Sequence, residues 1–205
     1  MGGLIQATTR ALTRNVSGPL PKYYNAEEIH QILDAVADNK GLHLLIHFLW
    51  KTGVRASEAL QVRMGDIDPY QKTLRVVTLK KSRRKKRGPR PVREHERIIP
   101  LQDDLVAEIL AWARDKDLKY QDLLFPFSRQ ALHKKVRKAC YKAGFKDDRA
   151  HPHTFRHSYA VHLLKKRIPV TVVQTLLGHS SIESTVVYLA IVQAEAAEMV
   201  RGVEW

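Results

Sequence analysis

One cysteine in 205 residues, Cys140, excludes an internal disulfide framework and fits a reducing compartment. No apolar run approaches the roughly 18 residues that a membrane span needs. The longest, Gly41 to Trp50, is interrupted by His43 and His47. The opening stretch MGGLIQATTR has neither an apolar signal core nor a small-residue cleavage site. Also missing are a GxxxxGK(S/T) phosphate loop, a GxGxxG turn after a strand and an HExxH zinc helix, which removes the sequence basis for three common enzyme classes. Acidic residues are scarce, 21 against 35 Lys and Arg, for a formal net charge of +14. That imbalance points to a polyanionic partner, because each phosphate neutralised by Lys or Arg releases a condensed counterion. It names no chemistry. With 44% apolar residues the chain has material for a core, and its length fits one domain with tails. The expectation is a soluble cytoplasmic protein with no membrane partner.

Residues 1–21 carry Gly2, Gly3, Gly18, Pro19 and Pro21 and read as a tail or linker. Asn25 followed by Glu28 has capping-box spacing, and Ile29, Ile32, Leu33 and Val36 follow at helical period. A nearly all-apolar helix over about 42–52 stops at Gly53. TLRVVTL (73–79) is β-rich, and RIIPL (97–101) is a plausible antiparallel partner. Between them KKSRRKKRGPRPVR (80–93) has no acidic residue before Glu94, and Pro89 and Pro91 bar its middle from a helix interior or central strand. Further helices are expected from Asp103, from Ser128 to Gly144, and near 153–167, 170–177 and 181–192, the last with a second capping-box spacing at Ser180 and Glu183. The fold class is therefore α+β, mainly α, with a small antiparallel sheet or hairpin.

Four short segments concentrate Arg, His and Tyr: Thr52–Glu58 (TGVRASE), His151–Ser158 (HPHTFRHS), Leu176–His179 (LLGH) and Tyr188. Each has an ordinary reading. Arg55 and Glu58 match a surface i,i+3 ion pair. Gly178-His179 matches a helix C-cap with a basic neighbour, and Tyr188 a half-buried core tyrosine. His153 and His157 have i,i+4 spacing, but no nearby Cys, Asp or Glu supplies an obvious third metal ligand.

Taken in order, these segments resemble the tyrosine recombinase (phage integrase) family, whose catalytic domain carries Arg, Lys, His-x-x-Arg, His and Tyr in this sequence. The resemblance covers roughly 22–192, which becomes the expected catalytic domain, with 1–21 as a tail and 193–205 as a C-terminal tail. It implies a DNA strand transferase that needs no cofactor and no metal. In that scheme Tyr188 attacks a DNA phosphodiester and leaves a 3′-phosphotyrosyl link. Arg55 and Arg156 hold the non-bridging oxygens through paired N–H donors that Lys cannot reproduce. His153 accepts the tyrosine proton, His179 donates a hydrogen bond to the same phosphate, and Glu58 is a buried support. The hairpin lysine that protonates the leaving 5′-oxygen falls at Lys80, with Lys81 as the alternative, since one residue of register exchanges the two faces of a strand.

Lys81, Arg83, Arg84, Lys85, Lys86 and Arg87 are expected to touch DNA. Lys134 and Lys135 are further candidates, equally consistent with a solvated helix face. The family also implies double-stranded DNA bearing a specific recombination site, and a homotetramer on two such sites with a C-terminal segment (190–205) docking on a neighbour. Only about twenty residues precede the catalytic stretch, where most members carry a helical core-binding domain. The chain is thus either a piece of a longer protein or similar to compact single-domain members, and its own DNA binding should be weak and salt-sensitive. The alternatives are a type IB topoisomerase-like enzyme and a non-cleaving DNA-binding regulator on the same scaffold.

Overall fold

The structure is a computed structural model and describes residues 20–79 and 94–201. Helix α1 (Ala26–Ala35) starts at the expected cap. Asn25 Oδ1 accepts from the Glu28 amide at 2.7 Å, and Glu28 Oε2 accepts from the Asn25 amide at 2.8 Å. Helix α2 (Lys40–Thr52) is buried along most of its length, including Leu44, Leu45, Ile46, Phe48 and Leu49. Each such side chain contributes about 1.5–3 kcal/mol on burial, so α2 is the axis of the main core. It ends at Gly53, where φ is +60° and a Cβ would run into the ring of Tyr159. Both the left-handed backbone and the close ring demand glycine there.

The short helix α3 (Ala56–Ala59) leads through a 3-10 turn (Met64–Asp66) into a three-stranded antiparallel sheet ordered β1 (Ile67–Asp68), β2 (Thr73–Leu79), β3 (Glu94–Pro100). Val76 faces Arg97 and Leu74 faces Ile99 across β2 and β3. Helices α4 (Asp103–Asp115) and α5 (Arg129–Lys142) close the main core, the latter capped by Ser128. Helix α6 (Pro152–Lys165) is buried on several sides at once, through Phe155, Arg156, Ser158, Tyr159, Ala160 and Val161. It packs on α2, on α7 (Val170–Leu177) and on α8 (Glu183–Arg201), so it joins the main core to a second apolar cluster that holds Leu164, Val173, Leu177, Tyr188 and Ile191.

The fold is mainly helical with one small antiparallel sheet, as the periodicities indicate. Two local expectations change. The last helix runs from Glu183 to Arg201 as one element, well past residue 192, and it is Ser181 Oγ that accepts from the Glu183 amide, at 3.2 Å. Beyond residue 192, Glu195 accepts from Tyr23 and pairs with Lys165, which ties the end of α8 to its own chain. Among the described residues no helix is long and apolar enough to cross a membrane.

Candidate active site

The site is assembled where the C-terminal ends of α2 and α7 meet. A helix end leaves its last carbonyls without intrahelical partners and carries a partial negative charge. Here arginines fill that role. Arg156, 1% exposed, donates from Nη1 to Gly53 O and from Nη2 to Leu177 O, both at 2.7 Å. Arg97 donates from Nε to Leu176 O at 2.8 Å, and Arg55 from Nη2 to Gly178 O at 3.3 Å. Three successive carbonyls of the α7 terminus therefore each hold a different arginine. Gly178 permits this with φ at +65°, and a Cβ there would sit 3.0 Å from Arg97 Nη1.

Glu58 organises two of these arginines from the other side. It is 4% exposed. It accepts from the Arg55 amide at 2.7 Å and Nη1 at 2.8 Å, from Arg97 Nη1 and Nη2 at 3.1 and 2.8 Å, and from Thr78 Oγ1 at 2.7 Å. Burial alone would raise its pKa. The hydrogen bonds and charge of Arg97, with the Arg55 amide and Thr78, outweigh burial and hold it down at about 2. Glu58 is thus a permanent carboxylate joining α3 to both long strands, far from the exposed i,i+3 pair that spacing alone allows.

The Gly53 and Leu177 carbonyls do not engage all of the Arg156 guanidinium. Its Nε is buried and has no hydrogen-bond partner among the described residues. Burial, followed by the charge of Arg55, lowers its pKa to about 10. An unpaired buried N–H beside a second guanidinium is costly unless something anionic completes it. Both arginines also pull the Tyr188 hydroxyl toward ionisation, although burial dominates and its net pKa is raised.

Tyr188 is 3% exposed. Its hydroxyl lies 2.8 Å from His157 Nδ1. His153 packs edge-on against His157, with ring centroids 4.4 Å apart, and keeps its outer side open to solvent. The His179 ring lies nearly parallel to that of Tyr188 at 6.4 Å, and its Nδ1 is 2.8 Å from Thr185 Oγ1. Burial, then the neighbouring His153, His151, Arg156 and His179, pushes the His157 pKa down to about 3. Burial, then Arg156, Arg55 and His153, puts His179 at about 4. Both rings are neutral in the folded protein near pH 7.

Between the unfolded histidine pKa of about 6.5 and the depressed folded values, the unfolded chain binds more protons than the native one, so stability falls as pH falls. Thermal unfolding between pH 8 and pH 4 should show Tm flat above about 6.5 and dropping below it. His157→Asn should flatten part of that drop. A profile in the variant as steep as in the parent would show that His157 does not titrate in this way.

Arg55, Glu58, His153, Arg156, His179 and Tyr188 are brought together. Lys80, Lys81, Arg83, Arg84, Lys85, Lys86 and Arg87 lie outside the described residues. Lys134 is exposed on α5, and Lys135 places its Nζ 4.6 Å above the Phe127 ring. Three contributors escape sequence reasoning. Arg97 looks like part of a strand, His157 like a spare histidine beside the motif arginine, and Thr185 like a helix residue. Only the first leaves a signal: an arginine on the inward-facing alternation of β3, where a charge requires a buried partner.

The chain is 33% identical to a resolvase of Escherichia coli K12 over 207 aligned residues, covering 89% of this chain and 76% of that one. It is 31% identical to a tyrosine recombinase of Pseudothermotoga lettingae, covering 86% of this chain but 58% of the relative, so it spans little more than half of that protein. Among solved structures it superposes on the XerA recombinase with a TM-score of 0.70 at 19% identity, over 92% of this chain and 68% of that one. On the catalytic domain of bacteriophage HP1 integrase the TM-score is 0.62 at 22% identity, over 89% and 95% of the two chains. The sequence profile of the Phage integrase family matches residues 22–195. The arginine-capped helix ends, the buried glutamate and the tyrosine beside them thus belong to a chain that is a member of the phage integrase family.

Proposed function

We propose that this chain is a site-specific DNA recombinase that cleaves and rejoins strands through a 3′-phosphotyrosyl intermediate at Tyr188. The observation that carries the reading is Arg156, a buried guanidinium whose Nε–H has no partner among the described residues, set beside Arg55 and within electrostatic reach of the Tyr188 hydroxyl. A scissile phosphate supplies the missing acceptor. In the reaction the Tyr188 oxygen forms a bond to phosphorus, the bond from phosphorus to the 5′-oxygen breaks, and rejoining reverses both steps. Negative charge grows on the non-bridging oxygens, where preorganised guanidiniums act most strongly. His153 takes the phenolic proton, His179 donates to the phosphate, and Lys80, or Lys81 in the other register, protonates the departing 5′-oxygen. The bond energy stays in the protein–DNA link, so the reaction needs neither ATP nor a cofactor.

The resting contact of Tyr188 with His157 holds the nucleophile as a phenol, to be released when phosphate draws the two arginines and His153 into the reacting geometry. Residues 22–192 form the catalytic unit. The basic stretch 81–87, with Lys134 and Lys135, tracks the backbone of double-stranded DNA, and the solved relatives include XerH recombinase bound to its difH substrate. A homotetramer on two sites, with the segment after residue 192 docking on a neighbour, requires first breaking the Glu195 contacts to Tyr23 and Lys165.

The test is a nicked suicide duplex built from DNA flanking the gene, incubated with the protein and run on a denaturing gel. A protein–DNA adduct is expected. Binding without any adduct would favour a non-cleaving regulator, and relaxation of a supercoiled plasmid without strand exchange, in a parallel assay, would favour a topoisomerase. Arg156→Lys should lower adduct formation by about 10²–10³-fold, the scale for losing an oriented donor to a developing oxyanion. Near-parental cleavage by that variant would remove Arg156 from the phosphate.

A further inference from the structure

The two histidines that break the apolar run of α2 have no role in the chemistry above. His43 and His47 stand one turn apart and face α4. His43 Nδ1 is 2.6 Å from Glu108 Oε1, and His47 Nδ1 is 2.6 Å from Glu108 Oε2. One carboxylate therefore bridges two imidazoles, and one ligand atom from each of the three residues lies within 4.8 Å of the others. On the far side of His47, Asp104 Oδ2 lies 3.5 Å from Nε2. Asp104 is one turn before Glu108 on α4 and also pairs with Lys51.

We propose that His43, His47 and Glu108 form a zinc site that clips α2 to α4. Two imidazoles and a carboxylate are a donor set suited to Zn²⁺. Tetrahedral coordination with metal–ligand bonds of about 2.0–2.1 Å separates neighbouring ligand atoms by about 3.3 Å. The present 2.6 Å contacts need to open by less than about 1 Å, within reach of small side-chain rotations. Asp104 completes the arrangement expected around a ligating histidine. By favouring the proton on Nε2 it frees Nδ1 of His47 for the metal. His43 and Glu108 line an open groove with Ala37, Lys40, Ala111 and Trp112, which gives an ion an entry path and leaves room for a water at the fourth position. Without an ion the same groups form a hydrogen-bonded clamp, so the site serves a structural role in either state. It lies about 9 Å along α2 from Gly53, six residues at 1.5 Å each, so the ion would take no part in phosphoryl transfer. This inference is independent of the recombinase reading.

Metal-free protein should be titrated with Zn²⁺ against a chromophoric chelator, and with Co²⁺ to read coordination from its visible bands. One equivalent of Zn²⁺ and a tetrahedral Co²⁺ spectrum are expected. His43→Ala and Glu108→Gln should each weaken binding at least tenfold, and Asp104→Asn, acting only on orientation, by about tenfold. His153→Ala should keep the full equivalent. His43 is partly exposed, and Glu108→Gln keeps the side-chain shape. Tm in chelator verifies that each variant is folded, and zinc should raise Tm in the parent but not in His43→Ala. No stoichiometric binding by the parent would overturn the proposal. So would an equivalent that survives His43→Ala and Glu108→Gln and disappears in His153→Ala, which would place the metal among the catalytic histidines.

Discussion

Tyr188→Phe is expected to lower covalent capture of a suicide duplex by about 10⁴-fold or more, to the limit of detection, while duplex binding changes little. The size of the first effect follows from what is removed. A nucleophile has no partial substitute, and losing the attacking group of a cooperating set costs about as much as losing the whole set. The small size of the second follows from where DNA affinity arises. Phosphate neutralisation by Lys and Arg supplies it, and none of those charges changes. Folding should also survive. The hydroxyl makes one hydrogen bond, to His157 Nδ1 at 2.8 Å. Its loss costs about 1 kcal/mol, and the ring keeps its place in the cluster of Leu164, Val173 and Leu177. Capture and binding should therefore separate cleanly in this variant. Adducts that persist would move the nucleophile to another residue. Loss of both capture and binding would mean that the hydroxyl positions DNA before it reacts.

The parts of this architecture that sequence makes legible are those set by local rules. The Asn25 cap, the stop at Gly53 and the pairing of 73–79 with a strand ending near 100 follow from capping, left-handed glycine and β-branched patterning. The order of Arg55, His153, Arg156, His179 and Tyr188 points to one site because spacing in a familiar order carries more information than any single residue. What remains hidden is hidden for a physical reason. Capping of the α7 carbonyls by Arg97, Arg156 and Arg55 joins residues up to 123 apart in sequence. No periodicity within a short window records it. Likewise, whether His153 or His157 meets the tyrosine depends on how α6 is rotated against α8, a packing outcome among residues that are buried on several sides. The long α8 has the same origin. No Gly or Pro stands between Ala190 and Arg201, and the continuation of the helix is held by Glu195 contacts to Tyr23 and Lys165.

Arg97→Met should be the most destabilising substitution at the site, costing about 3–5 kcal/mol, the usual consequence of removing one partner from a buried ion pair. Arg97 supplies two of the five hydrogen bonds to Glu58 and also holds Leu176 O, so its loss strands a carboxylate that is 4% exposed and uncaps the α7 terminus. The pH dependence gives an independent check. With its folded pKa held at about 2 against an ordinary value of about 4.5, Glu58 contributes stability that is present above about 4.5 and lost as pH falls toward 2. In Arg97→Met much of that depression disappears, so the gap in Tm between parent and variant should narrow in acid. A constant gap would mean that the arginine acts through the Leu176 carbonyl and packing alone. The double variant Arg97→Met with Glu58→Met separates stability from function. Replacing a buried pair by apolar side chains of similar volume is often close to neutral, so Tm should recover most of the single-variant loss. Adduct formation should not recover, because Glu58 also accepts from the Arg55 amide and Nη1 and so sets the direction in which Arg55 presents its donors. A double variant that regained both would show that the Glu58–Arg97 pair serves the fold and leaves the placement of Arg55 to the α7 carbonyl.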